Sequence, residues 1–319
     1  SPLALLRSPA GRMRTGTHLG LLALGSTLLT NCWIFADLTV DGSMATGGAV
    51  AVMLIRAGMN PWLALIFAFL AGMAAGFITG MLHTALGIPG ILASILTQIS
   101  LYSINLNILG SSNQAVSVDK YSLVVSLRYI SDSTASKIRM FTTCILFCVV
   151  LVAILYWYFG TEQGSAIRAT GCNPAMSKAQ GINIDNMKLI GLALSNAIVA
   201  LSGGLLSQYS GFSDVNMGRG GIVIGLAAVI IGEVLGDAIL GKHMNFMGKL
   251  IFVIFGGIVY YIVIGIVLWL QMPSDDLKLF TAIIVAIFLA VPYLKGKSKA
   301  SFKKAGKRSA AALNTKEGK

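Results

Sequence analysis

The chain has 319 residues, of which 55% are hydrophobic and only 11% are charged, and its mean hydropathy is +0.79. An ordinary soluble domain is about a quarter charged, so this chain cannot cover a water-facing surface with polar groups. Its formal net charge of +12 would suit nucleic acid, but nine of the 24 basic residues follow Leu294 in one tail. Such a tail next to a membrane segment is an orientation signal and contacts anionic lipid. Composition therefore predicts a membrane protein with lipid, and no nucleic acid, as a partner.

Long stretches without Asp, Glu, Lys or Arg indicate where the chain crosses the membrane, the longest lying between Arg56 and Asp119. A helix needs about 20 apolar residues to cross the hydrocarbon, where every backbone polar group must be paired. The alternation typical of membrane barrel strands is missing. The predicted fold class is therefore all-α, a polytopic membrane helix bundle with about nine or ten transmembrane helices. Nine spans are predicted in chain order: 17–36, 42–57, 61–83, 88–109, 139–159, 187–208, 218–235, 247–270 and 277–294.

These spans divide the chain into an N-terminal segment (1–16), a transmembrane domain (17–294) and a basic tail (295–319). Because cytoplasmic loops carry the excess of Lys and Arg, the tail and the loop 160–186 are predicted to be cytoplasmic and the loop 110–138 to lie outside. Nine spans then place the N-terminus outside, which its three arginines oppose. Either one further span exists or those arginines lie at the interface. A truncated start is also expected, since the first residue is not Met.

Two predicted spans are short and have features of broken helices. The second follows the polar run from Asp37 to Ser43, and the seventh is rich in glycine. Polar residues at membrane depth are functional candidates. For Asp37 and Asp41, the lining of a pathway and an interfacial turn are equally supported. Side-chain amides in the fourth and sixth spans would contact a polar solute or, as the favoured alternative, bond neighbouring helices. The candidate pathway residues are Asp37, Thr39, Asp41, Ser43, Gln98, Asn105, Asn196 and Gln208.

The loop between the fifth and sixth spans is the most informative segment. Thr161 is suited to cap a first short helix, and Gly171 to end it in a left-handed conformation. Asn173 is suited to cap a second helix that Gly181 ends. Two well-capped helices in a charged loop predict a compact knob rather than a loose linker. Such a knob would fit a groove on a cytoplasmic partner, although a plain connector is equally supported by the pattern.

This loop also carries a family resemblance. The run G-x-x-[IL]-R-A-x-G-x-N-x-x-x-[SA]-x-x-x-G-I-N from Gly164 to Asn183 resembles the cytoplasmic loop of permeases in ABC importers of the ribose, branched-chain amino acid and tryptophan/tyrosine type. The stretches Phe35–Val52, Gly76–Gly110 and Lys188–Glu233 are similar to the same family. The nearest branch is the tryptophan/tyrosine one. The order and spacing of these stretches together make the resemblance specific.

The resemblance implies that residues 17–294 form the permease domain of an ATP-driven importer for a small polar solute, an amino acid or a related compound. It implies a cytoplasmic ATP-binding subunit, an extracytoplasmic solute-binding protein and a second permease copy in a homodimer. The implied location is the bacterial plasma (inner) membrane, with a cytoplasmic C-terminus. The implied residues that couple the chain to the ATPase are Glu162, Gly164, Arg168, Gly171, Asn173, Pro174 and Gly181.

The sequence contains no motif for chemistry of its own. A phosphate-binding run G-x-x-x-x-G-K-[ST] is missing, and His18, His83 and His243 are far apart. The prediction is a transport subunit that is not an enzyme and has no catalytic residues, metal or cofactor, with ATP and Mg bound by the partner. The first alternative is an ion-coupled secondary transporter, which the scarcity of mid-span charges opposes. The second is a membrane enzyme or scaffold, which the missing catalytic set opposes.

Overall fold

The computed structural model describes residues 37–116, 123–124, 134–239 and 246–269, with single positions at 279, 282, 283, 286 and 290. The first predicted span, nearly all of the ninth, residues 1–16 and the basic tail lie outside these residues. The chain divides into two compact units, Ser1–Gly265 and Ile266–Lys319, and the architecture below is that of the first. The elements are α1 (Thr39–Arg56), α2 (Pro61–Thr84), α3 (Gly90–Leu109), β1 (Asn113–Ala115), α4 (Thr134–Gly160), α5 (Glu162–Cys172), α6 (Pro174–Ala179), α7 (Ile184–Ser210), β2 (Phe212–Asp214), α8 (Gly221–Ile239) and α9 (Phe246–Trp269).

The predicted all-α class is confirmed, and the second to eighth predicted spans each coincide with a helix. Within the described ranges, α2, α3 and α7 are long and apolar enough to cross a membrane. The apolar part of α4 and the following α5 pass the same test as a pair bent by 81°, which makes up to four spans. Shorter apolar helical stretches lie in α8 and α9. The chain is therefore a multi-pass membrane protein.

Helix α1 occupies the centre of the first unit and is packed by α2, α3 and α7. It is an unbroken helix of 18 residues, so the broken helix considered for the second span is not found, and most of its residues are buried. Glycines make this position possible. A Cβ added to Gly47 would overlap the carbonyl oxygen of Ala200 in α7, and one added to Gly203 would overlap that of Met44 in α1. The two backbones therefore touch where the helices cross, as small residues permit in lipid.

Helices α2 and α7 also pack closely through glycines, over a longer stretch. Gly72, Gly76 and Gly80 lie one turn apart on α2 and face α7, with Gly76 against the carbonyl oxygen of Leu192. The opposite face of α2 exposes large apolar side chains, including Phe67. This distribution suits a helix with one face on the bundle and the other on lipid.

A two-stranded antiparallel sheet joins the ends of α3 and α7, with Asn113 opposite Asp214. Each helix ends at a left-handed glycine, Gly110 with φ 68° and Gly211 with φ 78°, which turns the chain into its strand. Because the C-terminal ends of α3 and α7 meet here, both helices cross in the same direction. The chain then continues from β2 to the start of α8.

We expect Gly47→Val to destabilise the protein by about 1–3 kcal/mol or more, because the added atoms enter the space of the α7 backbone. Gly160→Ala is the matched control, since a Cβ there meets nothing within 4 Å. It should change stability by less than about 0.5 kcal/mol. Thermal unfolding of the two detergent-solubilised variants measures the difference. Equal unfolding midpoints would contradict the backbone contact.

Candidate translocation pathway and coupling site

A buried hydrogen-bond network joins the N-terminal end of α1 to the middle of α7. Asn196 donates from Nδ2 to Asp37 Oδ2 at 2.7 Å, and its Oδ1 accepts from Ser43 Oγ at 2.7 Å. The other carboxylate oxygen of Asp37 accepts from the backbone N–H of Thr39 at 2.9 Å. Asp37 is 1% exposed and Asn196 is 0% exposed. The network therefore holds a carboxylate in the interior with both of its oxygens paired, as a buried charge requires.

A third helix is tied to the same place, because the hydroxyls of Thr39 and Thr79 of α2 lie 2.9 Å apart in a hydrogen bond. Four of the predicted pathway residues thus meet in one cluster: Asp37, Thr39, Ser43 and Asn196. Their polar groups bond one another and link α1, α2 and α7. The geometry gives Asn196 the role of a bond between helices.

Asp41 binds the N-terminus of α8. Its Oδ2 accepts from the N–H of Gly220 at 3.0 Å and its Oδ1 from the N–H of Ile222 at 3.1 Å. The first N–H groups of a helix have no partner within the helix and carry a partial positive charge, so a carboxylate stabilises them. Gly218 lies so close to Asp41 that a Cβ there would overlap the Asp41 carbonyl oxygen. Asp41 therefore fixes both α8 and the backbone just before it.

This contact places the start of α8 deep in the bundle. Gly42, the neighbour of Asp41, packs on Gln98 and Leu101, which lie near the middle of the membrane-length helix α3. Non-helical backbone from 211 to 220 thus reaches the level of mid-α3. Such backbone is tolerated at membrane depth only where it faces protein or a water-filled cavity.

An open cavity of about 290 Å³ lies at this level. Helix α3 contributes Gln98, Tyr102 and Asn105, which share one face because they are four and three residues apart. Three further predicted pathway residues therefore come together here, Asp41 with Gln98 and Asn105. The lining residues are Asp41, Gly42, Gln98, Ile99, Tyr102, Asn105, Val215 and Arg219.

Asn105 stands out in this lining. It is 1% exposed, and within the described part of the chain neither the oxygen nor the nitrogen of its amide has a hydrogen-bond partner. A buried polar group without a partner costs about 1–3 kcal/mol. A buried donor and a buried acceptor beside the cavity therefore remain unsatisfied by the described residues.

The last predicted pathway residue, Gln208, lies apart from both clusters. Its Oε1 accepts from the backbone N–H of Val124 at 3.1 Å, and its side chain is fully buried. This bond fastens part of the loop after β1 to the end of α7. In the structure Gln208 holds a loop and is not part of the cavity lining.

The sequence reasoning missed three polar residues of these clusters: Thr79, Tyr102 and Arg219. Arg219 lies inside the predicted seventh span, so the rule that charges in spans are functional candidates would have found it. Tyr102 lies between Gln98 and Asn105 at helical spacing, which is a usable signal. Thr79 is adjacent to Gly80 in a stripe of small residues, and nothing in that pattern separates a bonding role from packing.

The knob after α4 is held firmly against the helix that precedes it. Thr161 caps α5, its Oγ1 accepting from the N–H of Gly164 at 3.4 Å, and α5 leaves α4 at 81°. A Cβ on Gly164 would collide with the backbone of Phe159 at the end of α4. Arg168 donates from Nη2 to the carbonyl oxygen of Phe159 at 2.8 Å. Several of the predicted coupling residues therefore set the angle of the knob.

The second knob helix matches its prediction, and the end of the first does not. Asn173 caps α6 by accepting from the N–H of Met176 at 3.1 Å, and Pro174 takes the first position. Gly181 follows the helix with φ 81°. Gly171 does not end α5, because the helix continues through Cys172. Asn173 has extended backbone and serves both helices, so no left-handed residue is needed between them.

A membrane bundle with an open cavity and a capped helical knob has features that a transport protein could use, and the comparisons with known proteins identify the class. The family described as branched-chain amino acid transport system, permease component, matches residues 9–292. The chain belongs to this family of permease components.

A tyrosine transport system permease protein of Clostridioides difficile is 34% identical over 299 residues, which is 94% of this chain and 95% of the relative. An uncharacterized protein of Rickettsia prowazekii is 33% identical, covering 84% of this chain and 92% of the relative. The autoinducer 2 import system permease protein LsrC of Yersinia enterocolitica is 29% identical, covering 72% and 61%. No solved structure matches the chain.

We expect Asn196→Leu to lower stability more than Ser43→Ala. The leucine leaves polar groups of both Asp37 and Ser43 unpaired in the interior, at about 1–3 kcal/mol for each group. Asn107→Leu is the matched control, because Asn107 is exposed and its amide bonds only a carbonyl of its own helix. Thermal unfolding in detergent provides the comparison. If the two leucine variants unfolded at the same temperature, the network would not be a stabilising link.

Proposed function

We propose that this chain is the membrane-spanning permease subunit of an ATP-driven ABC importer for a small polar solute, an amino acid or a related compound. A cytoplasmic subunit binds ATP and Mg, an extracytoplasmic binding protein delivers the solute, and a second copy of the chain completes a homodimer. The complex lies in the bacterial inner membrane with the C-terminus of the chain in the cytoplasm. Support comes from the family and from a tyrosine permease relative that matches 94% of the chain.

The observation that carries this proposal is the rigid knob of α5 and α6. Its inner side is fixed to α4 by Arg168 and Gly164, while Glu162, Met176 and Lys178 on its outer side are exposed. Met176, 60% exposed, offers an adaptable apolar side chain at a polar surface. A rigid projection with a free face suits docking into a groove on another subunit.

The structure also supplies a route from the knob to the cavity. Asn183 caps α7 by accepting from the N–H of Asn186 at 3.2 Å, so the chain leaves the knob directly into α7. Helix α7 contacts α1 closely at Gly203 and bonds it through Asn196. Helix α1 in turn holds the start of α8 through Asp41. A displacement of the knob would therefore pass through packed helices as a rigid-body shift.

Reconstitution tests the proposal. The chain, its ATP-binding subunit and its binding protein are placed in liposomes, and uptake of radiolabelled L-amino acids is measured. We expect uptake that requires ATP and the binding protein and that persists when an ionophore removes ion gradients. Uptake that survives without the ATP-binding subunit and disappears with the ionophore would instead identify an ion-coupled secondary transporter.

We expect Gly171→Pro to abolish uptake while the protein still reaches the membrane. A proline within α5 removes one helical hydrogen bond and clashes with the preceding turn, which costs about 3 kcal/mol and disrupts the knob. The control variant Gly171→Ala should keep wild-type uptake, because Gly171 lies within α5 and outside the left-handed region. Uptake and ATP hydrolysis are measured in the same liposomes. Normal solute uptake by the proline variant would contradict the coupling role.

A further inference from the structure

We infer that the cavity beside Asp41 is a contact site for the transported solute, and that it recognises a carboxylate on a small molecule with an apolar body, as in an amino acid. This inference rests on the proposed function and assigns the solute class to particular residues. Three features of the cavity point to it: the unsatisfied amide of Asn105, the position of Arg219, and the composition of the walls.

The amide of Asn105 indicates that something other than this chain binds in the cavity. The residue is almost fully buried and borders the cavity, and its nitrogen and oxygen have no partner among the residues that the structure describes. Asn107, two residues further along α3, bonds the carbonyl oxygen of Ser103 at 3.1 Å in its own helix. An asparagine on this helix can thus donate its amide N–H to a carbonyl of the helix, and Asn105 does not. A solute with a donor and an acceptor could hydrogen-bond both the oxygen and the nitrogen of this amide.

Arg219 provides the charge. It lies between Gly218 and Gly220, both of which contact Asp41, so its backbone is at the level of mid-α3. A guanidinium at that depth must face water or protein rather than hydrocarbon. Arg219 is exposed and lines the cavity. Its fixed fork of N–H donors matches the two oxygens of a carboxylate.

Asp41 is the other charged residue of the cavity lining, and its carboxylate is bonded to the start of α8. Both of its carboxylate oxygens already accept hydrogen bonds from the first N–H groups of α8. Among the described lining residues, Arg219 provides the charged donors that are open to a ligand. The part of the cavity beside Arg219 therefore favours an anionic group.

The remaining walls suit the rest of such a molecule. Tyr102, Ile99 and Val215 give an aromatic and an aliphatic surface, and Ile99 is 63% exposed. A volume of about 290 Å³ lies at the small end of ligand pockets, which start near 300 Å³. An end with the Arg219 guanidinium and two amides, opposite an apolar side, would orient an amino acid.

The test uses the complete transporter in liposomes. The probe is whichever of the common L-amino acids the wild type imports fastest, and its decarboxylated amine is the matched probe without the carboxylate. We compare Arg219→Gln, Arg219→Lys, Asn105→Leu and the control Asn107→Leu. We expect Arg219→Gln and Asn105→Leu to reduce uptake by about tenfold or more, Arg219→Lys to retain part of it, and Asn107→Leu to match the wild type.

Folding is separated from binding by thermal unfolding of the same variants. Because Asn105→Leu replaces an unsatisfied buried amide by an apolar side chain of similar size, its unfolding midpoint should be unchanged or higher. Lower uptake with an undiminished midpoint supports solute contact. Wild-type uptake by both Arg219→Gln and Asn105→Leu overturns the inference and leaves the importer function intact. Faster import of the amine than of the amino acid overturns the carboxylate preference.

Access from water gives an independent measurement. In an Ile99→Cys variant of the complete transporter, a membrane-impermeant maleimide should label the new thiol beyond the background of the parent chain, and excess amino-acid probe should protect it. Absence of labelling would place Ile99 against lipid and overturn the site. A transporter that imports none of the common amino acids, or that imports them without ATP, contradicts the proposed function itself.

Discussion

The constraint on which this structure depends is that a helix which begins inside a membrane bundle must find partners for its polar end. Helix α1 begins beside Asn196, near the middle of α7, and brings Asp37, Asp41 and Ser43 to that depth. In hydrocarbon each unpaired group would cost several kcal/mol. Asp37 and Ser43 are paired with Asn196, and Asp41 with the N-terminus of α8. These bonds, together with the bond between Thr39 and Thr79 of α2, therefore fix where α1, α2, α7 and α8 meet.

Close packing makes this pairing geometrically possible. Side chains as short as Ser43 and Asn196 reach each other only if the helix axes approach closely, and the contacts at Gly47 and Gly203 bring the backbones together. The glycine stripe on α2 brings that helix into close contact with α7, and α2 is bonded to α1 through Thr79 and Thr39. Glycine packing and polar bonding are thus two parts of one arrangement, since larger residues at the crossings would pull the polar groups apart.

The helices, the stripe on α2 and the capped knob could be predicted from sequence because each depends on local chemistry: runs without charge, small residues one turn apart, and capping residues at fixed offsets. The partners of the polar residues could not. Asn105 and Asn196 are the same residue type on predicted spans. The amide of Asn196 bonds Asp37 and Ser43, whereas the amide of Asn105 has no partner among the described residues. That difference is set by neighbours distant in sequence. Arg219 was within reach of a rule on charges in spans, whereas its place beside Asp41 depends on the irregular backbone before α8.

A series of contacts between helices connects the cavity with the knob. Asp41 is bound to α8 and sits on α1, which is in close contact with α7, and α7 begins at the knob. A movement of α7 that shifts α1 would therefore also move the N-terminus of α8 and the adjacent Arg219. Because packed interfaces tend to switch between discrete arrangements rather than deform continuously, the guanidinium would be presented to the cavity in one arrangement and displaced in another. In the proposed importer, a charged group next to a helix that moves with α7 would release its ligand through the same motion that opens the pathway.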